Sequence, residues 1–270
     1  MQVFIDDRTF SQQAQQLAID LALPRLSDGG FQVQEDALLS WSAPKKSTHL
    51  HLALLPPDSG PLSIDFFGGK KAHRRQFGGG KGQPLVRAMG HLTDRMPTIF
   101  DATAGMGGDA FVLASLGFTV WMNERNPVVA ALLQDALQRA KVSQERSEID
   151  VQSAQIISRL SFSQGDSVQI IRELAAQGTH FDTIYLDPMY PHKKKSAATK
   201  KEMATLQKLL GADIDSALLL ENALQHAKYR VVVKRPKGAE PIAYAIKPSS
   251  AIESPNTRYD VYSIKALTTG

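Results

Sequence analysis

The sequence contains no cysteine among its 270 residues. Disulfide bonds and zinc sites built on thiolates are therefore excluded, and the composition fits a reducing compartment. The sequence also has no apolar run long enough to span a membrane, and its first ten residues, MQVFIDDRTF, carry acidic residues where a signal peptide would be apolar. We therefore expect a soluble, cytoplasmic protein.

A strong excess of one charge is also lacking. Lysine and arginine number 31 against 27 aspartates and glutamates, which gives a formal net charge of +4. This balance is compatible with a nucleic-acid partner but does not require one. Metal ligands are sparse as well, because His49 and His51 have no further ligand near them in sequence, so we expect no metal site.

What the sequence does contain is the length and apolar content of a globular α/β protein. Residues 1–65 predict a small N-terminal α/β subdomain. Residues 66–96 predict a basic, glycine-rich linker and a helix that begins near Pro84. From residue 97 to 270, strands alternate with helices, as in a Rossmann-like parallel sheet with helices on both faces.

The predicted elements follow from apolar runs, helical spacing and turn residues. Strands are predicted at Val3–Ile5, Phe31–Val33, Leu38–Trp41, Leu50–Leu55, Leu62–Phe67, Thr98–Phe100, Phe118–Met122, Leu160–Phe162, Thr183–Leu186, Arg230–Val233, Tyr244–Ile246, Ala251–Ile252 and Arg258–Ile264. Helices are predicted at Gln12–Leu23, Phe111–Leu116, Val128–Ala140, Val168–Ala176, Leu206–Leu210 and Leu218–Ala227.

A glycine-rich turn follows the first strand of the larger domain, in the segment DATAGMGGD. Such a turn lets the backbone approach a ligand closely. Glu124 ends the next strand, where an acid accepts hydrogen bonds from ribose hydroxyls, and Asp166 ends the third, where a carboxylate could accept from an adenine amine. The predicted cofactor-binding residues in these segments are Asp101, Gly105, Gly107, Gly108, Asp109, Glu124 and Asp166.

A second candidate segment, FDTIYLDPMYP, begins at Phe181 and reads as a buried strand whose end carries Asp187, Pro188 and Tyr190. The Asp187 carboxylate and the Pro188 carbonyl can accept the two N–H bonds of a planar amine, while Tyr190 stacks on its ring. Together with the glycine-rich turn, this arrangement favours methyl transfer from S-adenosyl-L-methionine to a nucleobase amine. A nicotinamide cofactor is the alternative, but the glycine spacing is tighter than G-x-G-x-x-G.

One basic segment precedes this domain and a second lies within it. The first, GGKKAHRRQFGGGKG, reads either as a flexible linker or as a loop that contacts phosphates. The second follows Tyr190 and reads either as a solvated charge run or as a basic lip beside the pocket, to which Lys234 and Arg235 could add. The predicted RNA-binding residues are Lys70, Lys71, Arg74, Arg75, Lys81, His192, Lys193, Lys194 and Lys195.

These segments, with NERNPVVAALL and VVVKRP, closely resemble the bacterial ribosomal RNA small subunit methyltransferase J family over residues 65–260. The resemblance implies a class I S-adenosylmethionine-dependent methyltransferase fold and a cytoplasmic enzyme. It also implies methylation of N2 of one guanosine near the 3′ end of 16S rRNA. By position, it implies cofactor contacts at Gly108, Asp109, Glu124, Arg125, Asp166, Ser167 and Asp187.

Two other functions stay open at this point. An Asp-Pro-x-aromatic loop also suits adenine-N6 methylation, and a non-catalytic RNA-binding assembly factor could keep the same fold. The expected partner in each case is 16S rRNA or the 30S subunit. No apolar dimer stripe is evident, so we expect a monomer that does not associate with membranes.

Overall fold

The computed structural model of the chain describes residues 3–5, 11–22, 37–42, 50–56, 60–67, 80–189 and 215–266. The predicted elements at Phe31–Val33 and Leu206–Leu210 lie outside these ranges. Within them, no helix has both the length and the apolar content needed to cross a membrane.

Four short strands form an N-terminal sheet in the order β1-β2-β3-β4. These strands are β1 (Val3–Ile5), β2 (Ala37–Ser42), β3 (His51–Leu55) and β4 (Leu62–Ser63), and helix α1 spans Ser11–Asp20. The first pair is parallel and the other two are antiparallel. The strand predicted over Leu62–Phe67 is therefore much shorter than expected, since only its first two residues pair.

A larger sheet of seven strands has the order β10-β11-β9-β8-β5-β6-β7. Its strands are β5 (Thr98–Asp101), β6 (Thr119–Glu124), β7 (Leu160–Gln164), β8 (Thr183–Leu186), β9 (Arg230–Pro236), β10 (Ser250–Glu253) and β11 (Thr257–Ser263). Strands β5 to β9 pair in parallel, and β10 and β11 form an antiparallel hairpin against β9. This arrangement confirms the predicted α/β fold class. Strands β6 and β7 extend the sheet on one side of β5, whereas β8 and β9 extend it on the other. The strand order therefore switches between β5 and β8, and open α/β sheets bind ligands at such a switch point.

Helices cover both faces of this sheet. They are α2 (Pro84–Met89), α3 (Gly108–Ser115), α4 (Pro127–Glu145), α5 (Val151–Ser158), α6 (Ser167–Ala176) and α7 (Ser216–His226). Side chains fix where several of them begin. The side-chain oxygen Oδ1 of Asn126 accepts from the backbone N–H groups of Val128 and Val129 at 3.0 and 3.2 Å. The side chain of Asp150 likewise caps α5 by accepting from the N–H of Ser153 at 2.7 Å.

Strands at the centre of the sheet are buried on both sides, so their alternate residues enter two separate cores. Tyr185 and Val232 face the core formed by α3, α4, α5 and the N-terminal sheet. Ile184 and Val233 face the other core, which α6 and α7 close. Every residue of β8 is buried. The segment that carries Asp187 is thus held at its base by packing on both faces.

The N-terminal sheet and the segment after it contact α4 and the start of α3 through hydrogen bonds and ring packing. Asp135 on α4 accepts from the N–H of Leu52 at 3.2 Å and pairs with Arg139, whose guanidinium donates to the carbonyl of Ile64 at 2.6 Å. The Phe66 ring stacks on Phe111 with 5.3 Å between ring centroids. The two sheets therefore share one core, and the predicted domain boundaries stay a prediction.

A buried carboxylate connects β5 to β8 at the end of the sheet where these parallel strands begin. The Asp182 side chain is fully buried and accepts from the Arg95 guanidinium at 3.0 Å and from the Thr98 N–H at 2.7 Å. Burial would raise the pKa of Asp182, but the hydrogen bonds from Arg95 and Thr98 outweigh it and lower that pKa below its ordinary value.

Two differences from the predicted elements concern the end of the sheet and one helix. Tyr244–Ile246 forms bends and no strand. Pro241 and Pro248 bracket this segment and cannot donate to a ladder, and β11 already occupies the edge of β9. Helix α5, Val151–Ser158, was not expected from the sequence.

Candidate active site

The carboxyl ends of β5, β6, β7, β8 and β9 surround one cavity of about 300 Å³. The glycine-rich turn after β5 forms one side, and Asp187, Pro188 and Met189 leave β8 on the other. The first turn of α7 closes a third side with Asp215, Ser216 and Leu219. Nearly all the predicted cofactor residues line this cavity, in agreement with the expectation that successive strand ends converge: Asp101, Gly105, Gly108, Asp109, Glu124, Arg125, Asp166, Ser167 and Asp187.

Glycine is required in the turn by backbone conformation and by space. Gly105 and Gly107 have φ of +52° and +67°, in the left-handed region that favours glycine. A Cβ at Gly107 would lie 2.9 Å from Leu133 and 3.3 Å from the Phe66 ring. Gly107 is therefore packed beneath the turn and does not line the cavity, whereas a Cβ at Gly108 would meet nothing within 4 Å. Of the three predicted glycines, Gly107 thus packs beneath the turn, whereas Gly105 and Gly108 line the cavity.

Glu124 holds the turn in place. One carboxylate oxygen accepts from the N–H of Gly105 at 2.9 Å, and the other accepts from the N–H of Asn126 at 2.7 Å. The side chain is buried. A carboxylate oxygen can accept more than one hydrogen bond, and the ribose contacts expected of Glu124 stay a prediction.

Ser167 and Asp166 join β5, β6 and α6. The Ser167 hydroxyl donates to the carbonyl of Ala102 and accepts from the Asn123 amide at 2.7 Å. Asp166 caps α6 by accepting from the N–H of Gln169 at 3.1 Å. The Ser167 hydroxyl is therefore engaged within the protein, and a cofactor contact from this residue would come from its backbone.

A network of charged and polar side chains connects the two sides of the cavity. Lys234, at the end of β9, places Nζ 2.7 Å from Oδ2 of Asp109 and 2.7 Å from Oδ2 of Asp187. The Tyr185 hydroxyl also donates to Asp109, at 2.8 Å. The N–H of Asp187 donates to the Thr103 hydroxyl oxygen at 2.6 Å, which joins the strand end to the glycine-rich turn.

Burial and charge shift several pKa values in this network. Burial, aided by the nearby charges of Asp109 and Asp187, raises the pKa of Asp101 well above its usual range. Burial and the charge of Asp109 likewise raise the pKa of Tyr185, so its hydroxyl keeps its proton. Burial alone would lower the pKa of Lys234, but attraction to Asp109 and Asp187 outweighs it and raises that pKa. Lys234 is a cation throughout the physiological range.

One ion pair spans the mouth of the cavity. The Arg125 guanidinium lies 3.0 and 2.9 Å from the two carboxylate oxygens of Asp215, and both side chains are partly exposed. This pair connects the end of β6 to the start of α7. An exposed pair of this kind contributes about 0–1 kcal/mol to stability, so its main effect is on where the two segments lie.

Several predicted residues lie outside the described ranges: Lys70, Lys71, Arg74, Arg75, Tyr190, His192, Lys193, Lys194 and Lys195. Lys81 belongs to the short 3-10 helix Gly80–Gly82, of which only the backbone is described. The expectation that Arg235 adds to a basic surface is wrong, because its side chain is buried and pairs with Asp260 at 3.1 Å. Lys234, expected on that surface too, binds two carboxylates inside the cavity.

Sequence reasoning missed the roles of Lys234, Tyr185 and Thr103. The sequence carries one signal for the lysine, since the predicted site contains several acids and a cation at a neighbouring strand end would balance part of their charge. No group of three or more acidic or histidine side chains in the described ranges has the arrangement of a metal site.

Comparison with known proteins agrees with this geometry. The family model for SAM-dependent methyltransferases matches residues 30–264. The chain is 52% identical to ribosomal RNA small subunit methyltransferase J of Hydrogenovibrio crunogenus, over 98% of this chain and 95% of that protein. It is 43% identical to the protein of the same name from Pseudomonas fluorescens, over 96% and 93%.

A crystal structure of a SAM-dependent methyltransferase from Neisseria gonorrhoeae superimposes with a TM-score of 0.70 and 30% identity, and the match covers 97% of this chain and 95% of that one. The matched lengths include both sheets, so the likeness extends beyond the parallel strands. The chain therefore belongs to the SAM-dependent methyltransferase family, in the group that contains the ribosomal RNA small subunit methyltransferases J, and S-adenosyl-L-methionine is its cofactor.

Proposed function

We propose that the protein transfers the methyl group of S-adenosyl-L-methionine to the exocyclic N2 of a guanosine near the 3′ end of 16S rRNA. One observation carries this proposal: Asp187 and Pro188 leave β8 into the same cavity that the glycine-rich turn and Glu124 enclose. The relatives at 52% and 43% identity bear the name of an enzyme of the small-subunit RNA, which supports an rRNA substrate.

The residues of the cavity fit this cofactor. Carboxylates outnumber the basic side chains there, which suits a ligand that carries a positive sulfonium and an ammonium group. Met106, Val168 and Leu219 supply apolar surface for a flat adenine ring. We assign Glu124 to the ribose hydroxyls, Asp166 to the adenine amine, and Asp101, Gly105, Gly108 and Asp109 to the remaining contacts. When bound, the cofactor supplies an electrophilic methyl group.

The protein's own contribution is to hold the amine. An exocyclic amine is a weak nucleophile because its lone pair is delocalised into the base. A carboxylate oxygen of Asp187 and the carbonyl of Pro188 can accept its two N–H bonds, which localises the lone pair and aims it at the methyl group. Tyr190 would stack on a base extruded from its helix.

Binding of the RNA is assigned to the two basic segments, because phosphate contacts by lysine and arginine supply most of the sequence-independent affinity. Lys70, Lys71, Arg74, Arg75 and Lys81 would form one contact, and His192 with Lys193–Lys195 the other. We place the enzyme in the cytoplasm, where 16S rRNA is assembled into subunits, and propose that it acts as a monomer.

The test is methyl transfer from labelled cofactor to 30S subunits and to free 16S rRNA, both taken from cells that lack the protein, followed by digestion to nucleosides. Label in N2-methylguanosine supports the proposal. Label in N6-methyladenosine would keep the mechanism and replace the substrate, and no label would favour a non-catalytic binding protein. Asp187→Ala should abolish turnover but leave much of the RNA affinity, because the phosphate contacts lie elsewhere.

A further inference from the structure

Lys234 lies at the point where the two halves of the cavity meet. Val233 pairs with Leu186 in the parallel register of β9 and β8, so Lys234, the next residue of β9, lies beside Asp187, which directly follows β8. Its ammonium reaches Asp187 on the amine side and Asp109, in the first turn of α3, on the cofactor side, at 2.7 Å each. No other described residue donates hydrogen bonds from one side chain to both Asp109 and Asp187.

The charge state of Lys234 excludes one role. Its two carboxylate partners hold it as a cation, so it cannot accept the proton that the amine loses. Tyr185 is excluded for the same reason, because it keeps its proton and donates it to Asp109. What Lys234 can do is fix the orientation and the charge of the carboxylates that it binds.

The contact with Asp187 is specific to one oxygen. Lys234 donates to Oδ2, while the backbone N–H of Asp187 is bound to Thr103. The side chain is thereby restrained at its carboxylate and at its backbone. The lysine therefore fixes how the carboxylate of Asp187 is turned relative to the cavity.

We propose that Lys234 is a positioning residue for methyl transfer, which binds Oδ2 of Asp187 and so holds this carboxylate in the orientation that accepts from the base amine. Its second contact, with Asp109, sets the separation between the amine site and the glycine-rich turn. This inference rests on the proposed function, since it assumes that Asp187 accepts from the amine. It does not depend on whether the base is guanine or adenine.

The test compares Lys234→Met and Lys234→Arg with Lys237→Met, a matched control. Lys237 lies just beyond β9, is half exposed and pairs only loosely with Glu253 at 3.4 Å, so its loss removes the same charge outside the cavity. We expect Lys234→Met to lower kcat by about 100-fold, the cost of a small misplacement of a reacting group. The KM for rRNA should stay near the wild-type value, because the phosphate contacts are unchanged. Lys237→Met should retain the wild-type kcat.

A pH profile separates positioning from structural support. Among the described residues, Asp187 is faced by Lys234 from β9, Asp109 from α3, Asp101 from β5 and Tyr185 from β8. Without the ammonium, the carboxylate is protonated more readily, so the acidic limb of the kcat profile should move to higher pH in Lys234→Met. Lys234→Arg keeps the cation and should return the limb to its wild-type position, with part of the rate.

A double-mutant cycle with Asp187→Asn covers the case in which Lys234→Met folds poorly. If Lys234 acts through Asp187, adding Lys234→Arg to Asp187→Asn should change the rate little, because the group being positioned is already lost. The inference would be overturned if the losses in rate from Lys234→Arg and Asp187→Asn were additive. It would also be overturned if a well-folded Lys234→Met kept the acidic limb of its kcat profile at the wild-type pH. A wild-type protein that methylates no base amine would instead overturn the proposed function.

Discussion

Replacing Gly107 by alanine should destabilise the protein without touching the cavity. The backbone there has φ of +67°, and a left-handed conformation costs an alanine about 1–2 kcal/mol. The new Cβ would lie 2.9 Å from Leu133 and 3.3 Å from Phe66, and overpacking of this kind costs about 1–3 kcal/mol. A mid-range sum of about 3.5 kcal/mol corresponds to a fall in melting temperature of roughly 7–14 °C for a protein of this size.

Gly108→Ala is the matched control, because its Cβ would meet nothing within 4 Å and Gly108 is the first residue of a helix. Its melting temperature, followed by far-ultraviolet circular dichroism, should equal the wild-type value or slightly exceed it. The added methyl lies beside the cavity, so Gly108→Ala should instead reduce the stabilisation that S-adenosyl-L-methionine gives the wild type. A Gly107→Ala variant that melts within about 1 °C of the wild type would refute the assignment of Gly107 to packing.

Three further predictions concern stability and packing. Asp182→Asn should cost about 1–3 kcal/mol at neutral pH. The pKa of Asp182 lies below its ordinary value of 3.8. Its contribution to the free energy of unfolding is therefore present above pH 3.8 and is lost as the pH falls through the lower pKa of the folded state. Asp182→Asn should remove this loss and so flatten the acid side of the stability curve, measured by urea titration. The pKa of Asp101 is raised in the folded protein, so above pH 3.8 the folded protein keeps a proton on Asp101 that the unfolded chain loses. The contribution of Asp101 to stability therefore falls as the pH rises above about 3.8. Asp101→Asn should therefore gain stability over the wild type between pH 5 and pH 8, and a constant difference would contradict the raised pKa. Phe66→Ala should cost about 3–5 kcal/mol and weaken cofactor binding in calorimetry, because the ring supports the glycine-rich turn.

The sequence was most informative where structure depends on local patterns. Strands β5, β6, β8 and β9 were predicted to within a few residues because each is a short apolar run bounded by turn residues. The convergence of Asp109, Glu124 and Asp187 also followed, since the carboxyl ends of parallel strands meet at one edge.

Features that depend on distant contacts could not be predicted in this way. Tyr244–Ile246 was predicted to form a strand, yet whether a segment pairs depends on which edge is already occupied. Lys234 was expected to add to a basic surface because it ends a strand at the same edge of the sheet as the basic lip. Its partners lie 125 and 47 residues away, and only the placement of β9 beside β8 brings them within reach.

The order of strands in the larger sheet has a consequence for synthesis. Strands β5, β6 and β7 leave the ribosome first and lie next to one another, whereas β8 and β9 are made later and add to the other side of β5. The nascent chain can therefore form the glycine-rich turn and Glu124 well before Asp187 and Lys234 exist. The cavity has its full lining only when β9 has been added, which requires translation to pass residue 234.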